Sequence, residues 1–125
     1  MSFDWGQYLT LAQELVGQDV RSAGQEARQS AAISRAYYAV FCQARNYLRD
    51  QQGRQTPVGG QVHAYVRQQF RDSPNPEHNQ IGHHLNRLRI DRNKVDYEDT
   101  IAGLQHMAEA DLLLAAQVLS LLGRV

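Results

Sequence analysis

The apolar residues of this chain recur every three or four positions, a spacing that predicts α-helices and no strand. The repeat covers five segments, at about residues 3–16, 25–51, 61–71, 76–95 and 99–122. Asn75 is the predicted N-cap of the fourth segment, with Pro76 at its first helical position. A chain of 125 residues is long enough for one domain with its own core. We therefore expect a single all-α domain that spans residues 1–125.

The segment at residues 25–51 has the strongest apolar pattern. Its large apolar side chains form one stripe, made of Ile33, Tyr37, Val40, Phe41, Ala44 and Leu48. A stripe of small residues lies beside it and would let another helix approach closely: Ala32, Ala36 and Ala39. The last segment has an apolar arc broader than one face, as expected of a central bundle helix or of one that also meets a second subunit.

Arg92 interrupts the apolar stripe of the fourth segment. The stripe advances by steps of four, three, four and three residues through Ile81, Leu85, Leu88, position 92 and Val95. Burying an arginine is costly unless a ligand or partner meets it, whereas an arginine at a helix end can pack its stem and keep its head in water. Asn93, Asp96 and Tyr97 add polar groups to the same turn, and spacing alone leaves both interpretations open.

Composition adds a local feature to this picture rather than a global one. The formal net charge is zero, so no general attraction to nucleic acid or an anionic membrane is expected. Residues 87–94 nevertheless carry four basic side chains and one acid, whereas residues 96–111 carry five acids and no Lys or Arg. Cys42 is the single cysteine, which excludes an intrachain disulfide. No stretch approaches the roughly 20 apolar residues of a membrane span, so we expect a cytoplasmic protein without membrane association.

Familiar catalytic and metal motifs are absent from the sequence. There is no Gly-rich phosphate loop, nucleophile elbow or HExxH. The histidines are not paired at i, i+4, and the adjacent His83 and His84 would point about 100° apart on a helix, so neither a metal nor a cofactor is expected. The paired carboxylates are better explained by capping near a helix start than by acid–base catalysis: Glu98–Asp99 and Glu109/Asp111.

Two stretches of the chain resemble HEPN domains, a family of small all-α nucleotide-binding domains. Residues 31–48, AAISRAYYAVFCQARNYL, are similar to the second-helix signature of that family. Residues 85–99, LNRLRIDRNKVDYED, are similar to the segment that closes its third long helix. The order and spacing of these two stretches fit the family pattern across nearly the whole chain. The resemblance implies an up-and-down bundle of four long helices plus one short helix, paired into a homodimer with a polar groove between the subunits.

The resemblance carries over to the family's active motif only in part. Many HEPN proteins are metal-independent ribonucleases, often toxins of toxin–antitoxin or defence systems, and others pair with a small nucleotidyltransferase. Their motif is an Arg, a polar residue, and a His after four to six intervening residues. Arg92 and Asn93 match, but Tyr97, Glu98 and Asp99 occupy the possible His positions. None of them replaces an imidazole in proton transfer near neutral pH, so binding is favoured over catalysis.

Three functional hypotheses follow from these residues. The first is a homodimer that binds nucleotide or RNA in its groove, with Arg92 on phosphate and Asn93 and Tyr97 for hydrogen bonding and stacking. The other candidate binding residues are Arg87, Arg89, Arg35, Asp96 and Tyr38. The second is a ribonuclease in which Arg92 works with Tyr97 or Asp96. The third is a non-catalytic assembly partner, for instance of a small nucleotidyltransferase, in which Arg92 pairs with Asp96 four residues on.

Overall fold

The computed structural model describes residues 4–17 and 24–124, and these form a bundle of five helices. The helices are α1 Gly6–Gly17, α2 Gln25–Gln51, α3 Gln61–Arg71, α4 Pro76–Tyr97 and α5 Leu104–Arg124. No strand occurs in these ranges, so the all-α prediction is confirmed for them. Phe3, the predicted start of the first helix, lies outside the described residues. None of the described helices combines the length and the apolar character needed to cross a membrane.

One predicted helix boundary is wrong. The last helix begins at Leu104 and not near Asp99, because Gly103 has a φ of 68° and so cannot lie inside a right-handed helix. The described helices differ in length more than the expected four long helices and one short helix. Helices α2, α4 and α5 have 27, 22 and 21 residues, whereas α1 and α3 have only 12 and 11.

The start of α4 is confirmed in detail. The Asn75 side-chain oxygen accepts hydrogen bonds from the backbone N–H groups of Glu77 and His78, at 2.8 and 3.3 Å. Pro76 occupies the first helical position. A cap of this kind stabilises a protein by about 1 kcal/mol, and it fixes where the helix begins.

Helix α2 is the centre of the core, because it packs against all four other helices. Every residue of its two predicted stripes is buried. Helix α5 packs against α1, α2 and α4 through Ala108, Ala115, Val118 and Leu121. Its broad apolar arc is only partly covered, since the Leu113 side chain is 68% exposed.

The apolar stripe of α4 continues to Asp91 rather than to Arg92. Asp91 is 2% exposed and meets Asp111 of α5, which is 1% exposed. The Nε of Arg87 lies 3.2 Å from Asp91 Oδ2, whereas no N–H or hydroxyl group of the described residues donates to either Asp111 oxygen. Burial, followed by the neighbouring Asp91 carboxyl, raises the pKa of Asp111 to about 8. Asp111 is therefore a buried partner of Asp91 and not a capping residue.

A glycine in α4 brings that helix against the end of α3. A Cβ at Gly82 would lie 2.5 Å from the backbone nitrogen of Arg71, so only a glycine fits there. The Asn79 side-chain amide donates to the Arg71 carbonyl at 2.6 Å and closes the same junction. The junction sets the position of α3 relative to α4.

Candidate functional site

Arg92 is held by side chains on α2 and on its own helix. Its Nη2 donates to the Tyr38 hydroxyl at 2.8 Å, and its guanidinium carbon lies 5.0 Å from the centre of the Tyr38 ring. Its Nε lies 2.8 Å from Asp96 Oδ2. This ion pair within the chain is the one expected under the third hypothesis, that of a non-catalytic assembly partner. Tyr38, one of the predicted binding residues, therefore faces the Arg92 region.

These contacts leave hydrogen-bonding capacity on Arg92. A guanidinium carries five N–H donors, and the contacts to Tyr38 and Asp96 involve only Nε and Nη2. The Arg92 side chain is 24% exposed and lines a surface cavity. The ion pair positions the guanidinium without using all its donors.

A surface cavity of about 240 Å³ lies where α2, α3 and α4 meet, and Arg92 lines it. Its other lining residues are Tyr37, Gly60, His63, Ala64, Arg67, Arg89 and Asn93. Within residues 4–17 and 24–124, no carboxylate lies within 4.0 Å of a nitrogen of Arg67 or Arg89. The Nε of Arg89 is buried without a hydrogen-bond partner. Two of the three arginines in the cavity are thus uncompensated cations.

His63 is fixed in this cavity by aromatic side chains of α2. Its Nδ1 lies 2.7 Å from the Tyr37 hydroxyl, and its ring stacks on Phe41 with centroids 4.1 Å apart. Burial lowers the pKa of His63, and Arg92, Arg67 and Arg89 lower it further. The imidazole is therefore neutral at pH 7.

Tyr37 lies close to both His63 and Arg67. Its hydroxyl is 2.7 Å from His63 Nδ1, and the charge of Arg67 acts on the same phenol. Burial raises the pKa of Tyr37 to about 12, so the phenol stays protonated throughout the physiological range. Tyr37, His63 and Arg67 therefore form one polar cluster at the cavity, and all three line it.

The N-terminus of α3 adds positive potential to the cavity. Gly60 precedes the helix, lines the cavity, and provides no side-chain cap. The first turn of α3 contains no acidic residue. Uncapped N–H groups and the helix dipole both favour an anion at such an end.

The predicted binding residues fall into two groups. Arg89, Arg92 and Asn93 line the cavity, and Tyr38 and Asp96 hold Arg92. The remaining three, Arg35, Arg87 and Tyr97, are not part of its lining. The Arg87 side chain is 63% exposed and pairs with Asp91, and Tyr97 is 82% exposed.

Sequence reasoning missed the contribution of α3. His63 and Arg67 lie four residues apart, so they share one face of that helix. The spacing was visible in the sequence, but nothing indicated that this face meets Arg89 and Arg92. The missing information was which helices are neighbours.

The cavity presents cations and hydrogen-bond donors, and no carboxylate lines it. This set of groups suits an anion, above all one with two oxygen atoms that a single guanidinium can bind together. In the part of the chain that the structure describes, no group of three or more His, Cys, Asp or Glu residues could hold a metal ion. Comparisons with models of protein families, with curated proteins and with solved structures found no match.

Proposed function

We propose that the protein binds the phosphate of a nucleotide or of RNA in the cavity between α2, α3 and α4. The observation that carries this proposal is the convergence of Arg67, Arg89 and Arg92 on one small cavity. In the described part of the chain, Asp96 is the one carboxylate paired to any of them. Arginine is the side chain best suited to phosphate, since its planar donors match phosphate oxygens.

The mutual repulsion of the arginines supports an anionic ligand. Burial lowers the pKa of Arg67, and the charge of Arg89 lowers it further. Two cations held close together raise the free energy of the empty site, and an anion between them removes that repulsion. Part of the binding free energy therefore comes from removing the electrostatic repulsion between these arginines in the empty protein.

Replacing Arg67 or Arg89 with glutamine tests the proposal. Each variant should bind a fluorescent RNA oligonucleotide or a nucleotide about tenfold more weakly, because a charge-assisted hydrogen bond contributes about 1.5–3 kcal/mol. Arg49→Gln is the matched control, since Arg49 is exposed, pairs with Asp50 and lies about 18 Å along α2 from Tyr37. Equal affinities for the wild type, Arg67→Gln and Arg89→Gln would falsify phosphate binding in this cavity.

The proposal includes a homodimer of the HEPN type, an up-and-down bundle whose two cavities lie along a shared groove. Ile90 and Tyr97 support it, because they are 41% and 82% exposed and lie seven residues apart on the same face of α4. Apolar side chains beside a cationic cavity suit an interface with a second copy. Light scattering that finds only a species of 14.2 kDa would remove this part of the proposal.

A metal-independent ribonuclease is the second candidate, favoured by the position of His63. Although the α4 motif lacks a histidine, His63 of α3 lines the same cavity as Arg92 and Asn93. A neutral imidazole beside cations can act in proton transfer to or from ribose oxygens. RNA should then be cleaved by the wild type in EDTA and not by His63→Ala. Intact RNA at high protein concentration would exclude cleavage and leave binding as the function.

A further inference from the structure

We infer that the cavity selects a terminal phosphate dianion over an internal phosphodiester, and that His63 takes up a proton when the dianion binds. The inference rests on the proposed function and narrows it to a class of ligand. That class contains molecules with a free phosphate end, such as a nucleoside monophosphate or the phosphorylated end of an RNA strand. Two observations carry it: the balance of charge in the cavity, and the surroundings of His63.

The uncompensated positive charge of the cavity equals in magnitude the negative charge of a dianion. Asp96 lies 2.8 Å from Arg92 Nε and neutralises that guanidinium. Arg67 and Arg89 have no carboxylate within 4.0 Å among the described residues, so the empty site has two uncompensated positive charges. A terminal phosphate has close to two negative charges at pH 7.5, since its second pKa is about 6. A phosphodiester has one charge and would leave one arginine unpaired.

The size of the cavity also suits the end of a molecule. At about 240 Å³ it is smaller than the roughly 300–1,000 Å³ typical of sites that enclose a whole ligand. The rings of Tyr37 and Phe41 stack against the ring of His63, which lines the cavity. A phosphate end can enter from the solvent side with the rest of its molecule outside.

Every charged group that acts on the electrostatics of His63 is a cation. From α4 these are Arg92 and Arg89, and from α3 it is Arg67. From α2 the neighbouring polar groups are the phenols of Tyr37 and Tyr38. Among residues 4–17 and 24–124, the only acid linked to this cluster is Asp96, which is already paired with Arg92.

A bound dianion reverses this balance around the imidazole. Burial is the first cause of the low pKa of His63, and the three arginines add to it. A dianion cancels the contribution of the arginines and places negative charge beside the ring, which raises the pKa of His63 in the complex. Binding and proton uptake are therefore linked, and affinity for a dianion of fixed charge should increase as the pH falls from 8 to 6.

Adenosine 5′-monophosphate and 3′,5′-cyclic adenosine monophosphate separate the dianion from the diester. They share a base and a sugar but differ in phosphate charge. Calorimetry at pH 7.5 should give at least about tenfold tighter binding of the monophosphate. Equal affinities would overturn the inference and leave the proposed function intact. If neither nucleotide bound and a 5′-phosphorylated RNA also failed to bind, both the inference and the proposed function would be overturned.

Sulfate tests the proton uptake, because it stays a dianion across this pH range and does not titrate itself. Titrations in buffers of different ionisation enthalpy should show uptake of a fraction of a proton by the wild type at pH 7. His63→Gln should abolish the uptake, whereas His84→Gln should keep it, since His84 also has a pKa lowered by burial but does not line the cavity. No uptake by the wild type would overturn the inference.

A measurement on the wild type covers the case in which His63→Gln does not fold. The NMR titration of the His63 ring should show a higher pKa in sulfate than in chloride at equal ionic strength. An unchanged pKa, with sulfate shown to be bound, contradicts proton-linked binding.

Discussion

Replacing Asp111 with asparagine is expected to raise the free energy of unfolding by about 2 kcal/mol at pH 8 and to change it little at pH 4. Burial and the adjacent Asp91 raise the pKa of Asp111 to about 8 from an ordinary value of 3.8. An asparagine amide is neutral at every pH and can donate to the Asp91 carboxylate, as the protonated Asp111 does. Denaturant unfolding at several pH values measures both effects.

The pH dependence of the wild type gives the sign of this prediction. A carboxyl group whose pKa is higher in the folded state binds its proton more tightly when folded, so it favours folding at low pH. That contribution is lost progressively as the pH rises from about 4 to about 8, the interval between the two pKa values. Asp111→Asn removes the titrating group, so its stability should vary less with pH across the same interval.

Glu109→Gln is the control for Asp111→Asn. Glu109 lies two residues earlier on α5, is exposed, and accepts a hydrogen bond from Gln105. Its removal should change the free energy of unfolding by less than about 0.5 kcal/mol. If Asp111→Asn were less stable than the wild type at pH 8, the two acids would have to be ionised and compensated in the folded protein, and the buried proton would be ruled out.

Asp91 shows that helical spacing alone does not predict which of two neighbouring residues is buried. From Leu88, steps of three and of four residues both stay on the same side of a helix, so the stripe could continue to Asp91 or to Arg92. Charge alone does not decide between them, because both residues are costly to bury. The structure buries Asp91, since α5 provides Asp111 to share its proton and α4 provides Arg87.

Local signals explain which parts of the fold could be predicted. Helices α2 and α3 have the expected bounds because their apolar periods are strong and breaking residues flank them. Gly24 and Gly53 flank α2, whereas Gly60 precedes α3 and Pro74 follows it. The predicted start of α5 was wrong because Glu98 and Asp99 resemble the first residues of a helix. The backbone conformation of Gly103 instead determines where α5 begins. The sequence predicted part of the candidate site, because Arg89, Arg92 and Asn93 come from one continuous segment. His63 and Arg67 come from another helix, and their proximity depends on tertiary packing.

Replacing Gly82 with alanine is expected to destabilise the protein by about 2 kcal/mol and to weaken anion binding at the same time. The new Cβ would lie 2.5 Å from the Arg71 nitrogen and 2.9 Å from its Cα, and these are backbone atoms that cannot rotate away. The C-terminal end of α3 must move instead. The gain in helix propensity from glycine to alanine, up to about 1 kcal/mol, offsets only part of this cost.

The two effects of Gly82→Ala have one origin, because the junction at Gly82 positions α3 against α4. Arg67 and His63 lie on α3, and Arg89 and Arg92 lie on α4, so a displacement of α3 separates the cations that converge on the cavity. Gly123→Ala is the matched control: a Cβ there meets nothing within 4 Å, and that variant should be as stable as the wild type or slightly more stable. If Gly82→Ala lost stability but kept full phosphate affinity, the spacing between α3 and α4 would not set the site, and the arginines would have to adjust independently of the helices that carry them.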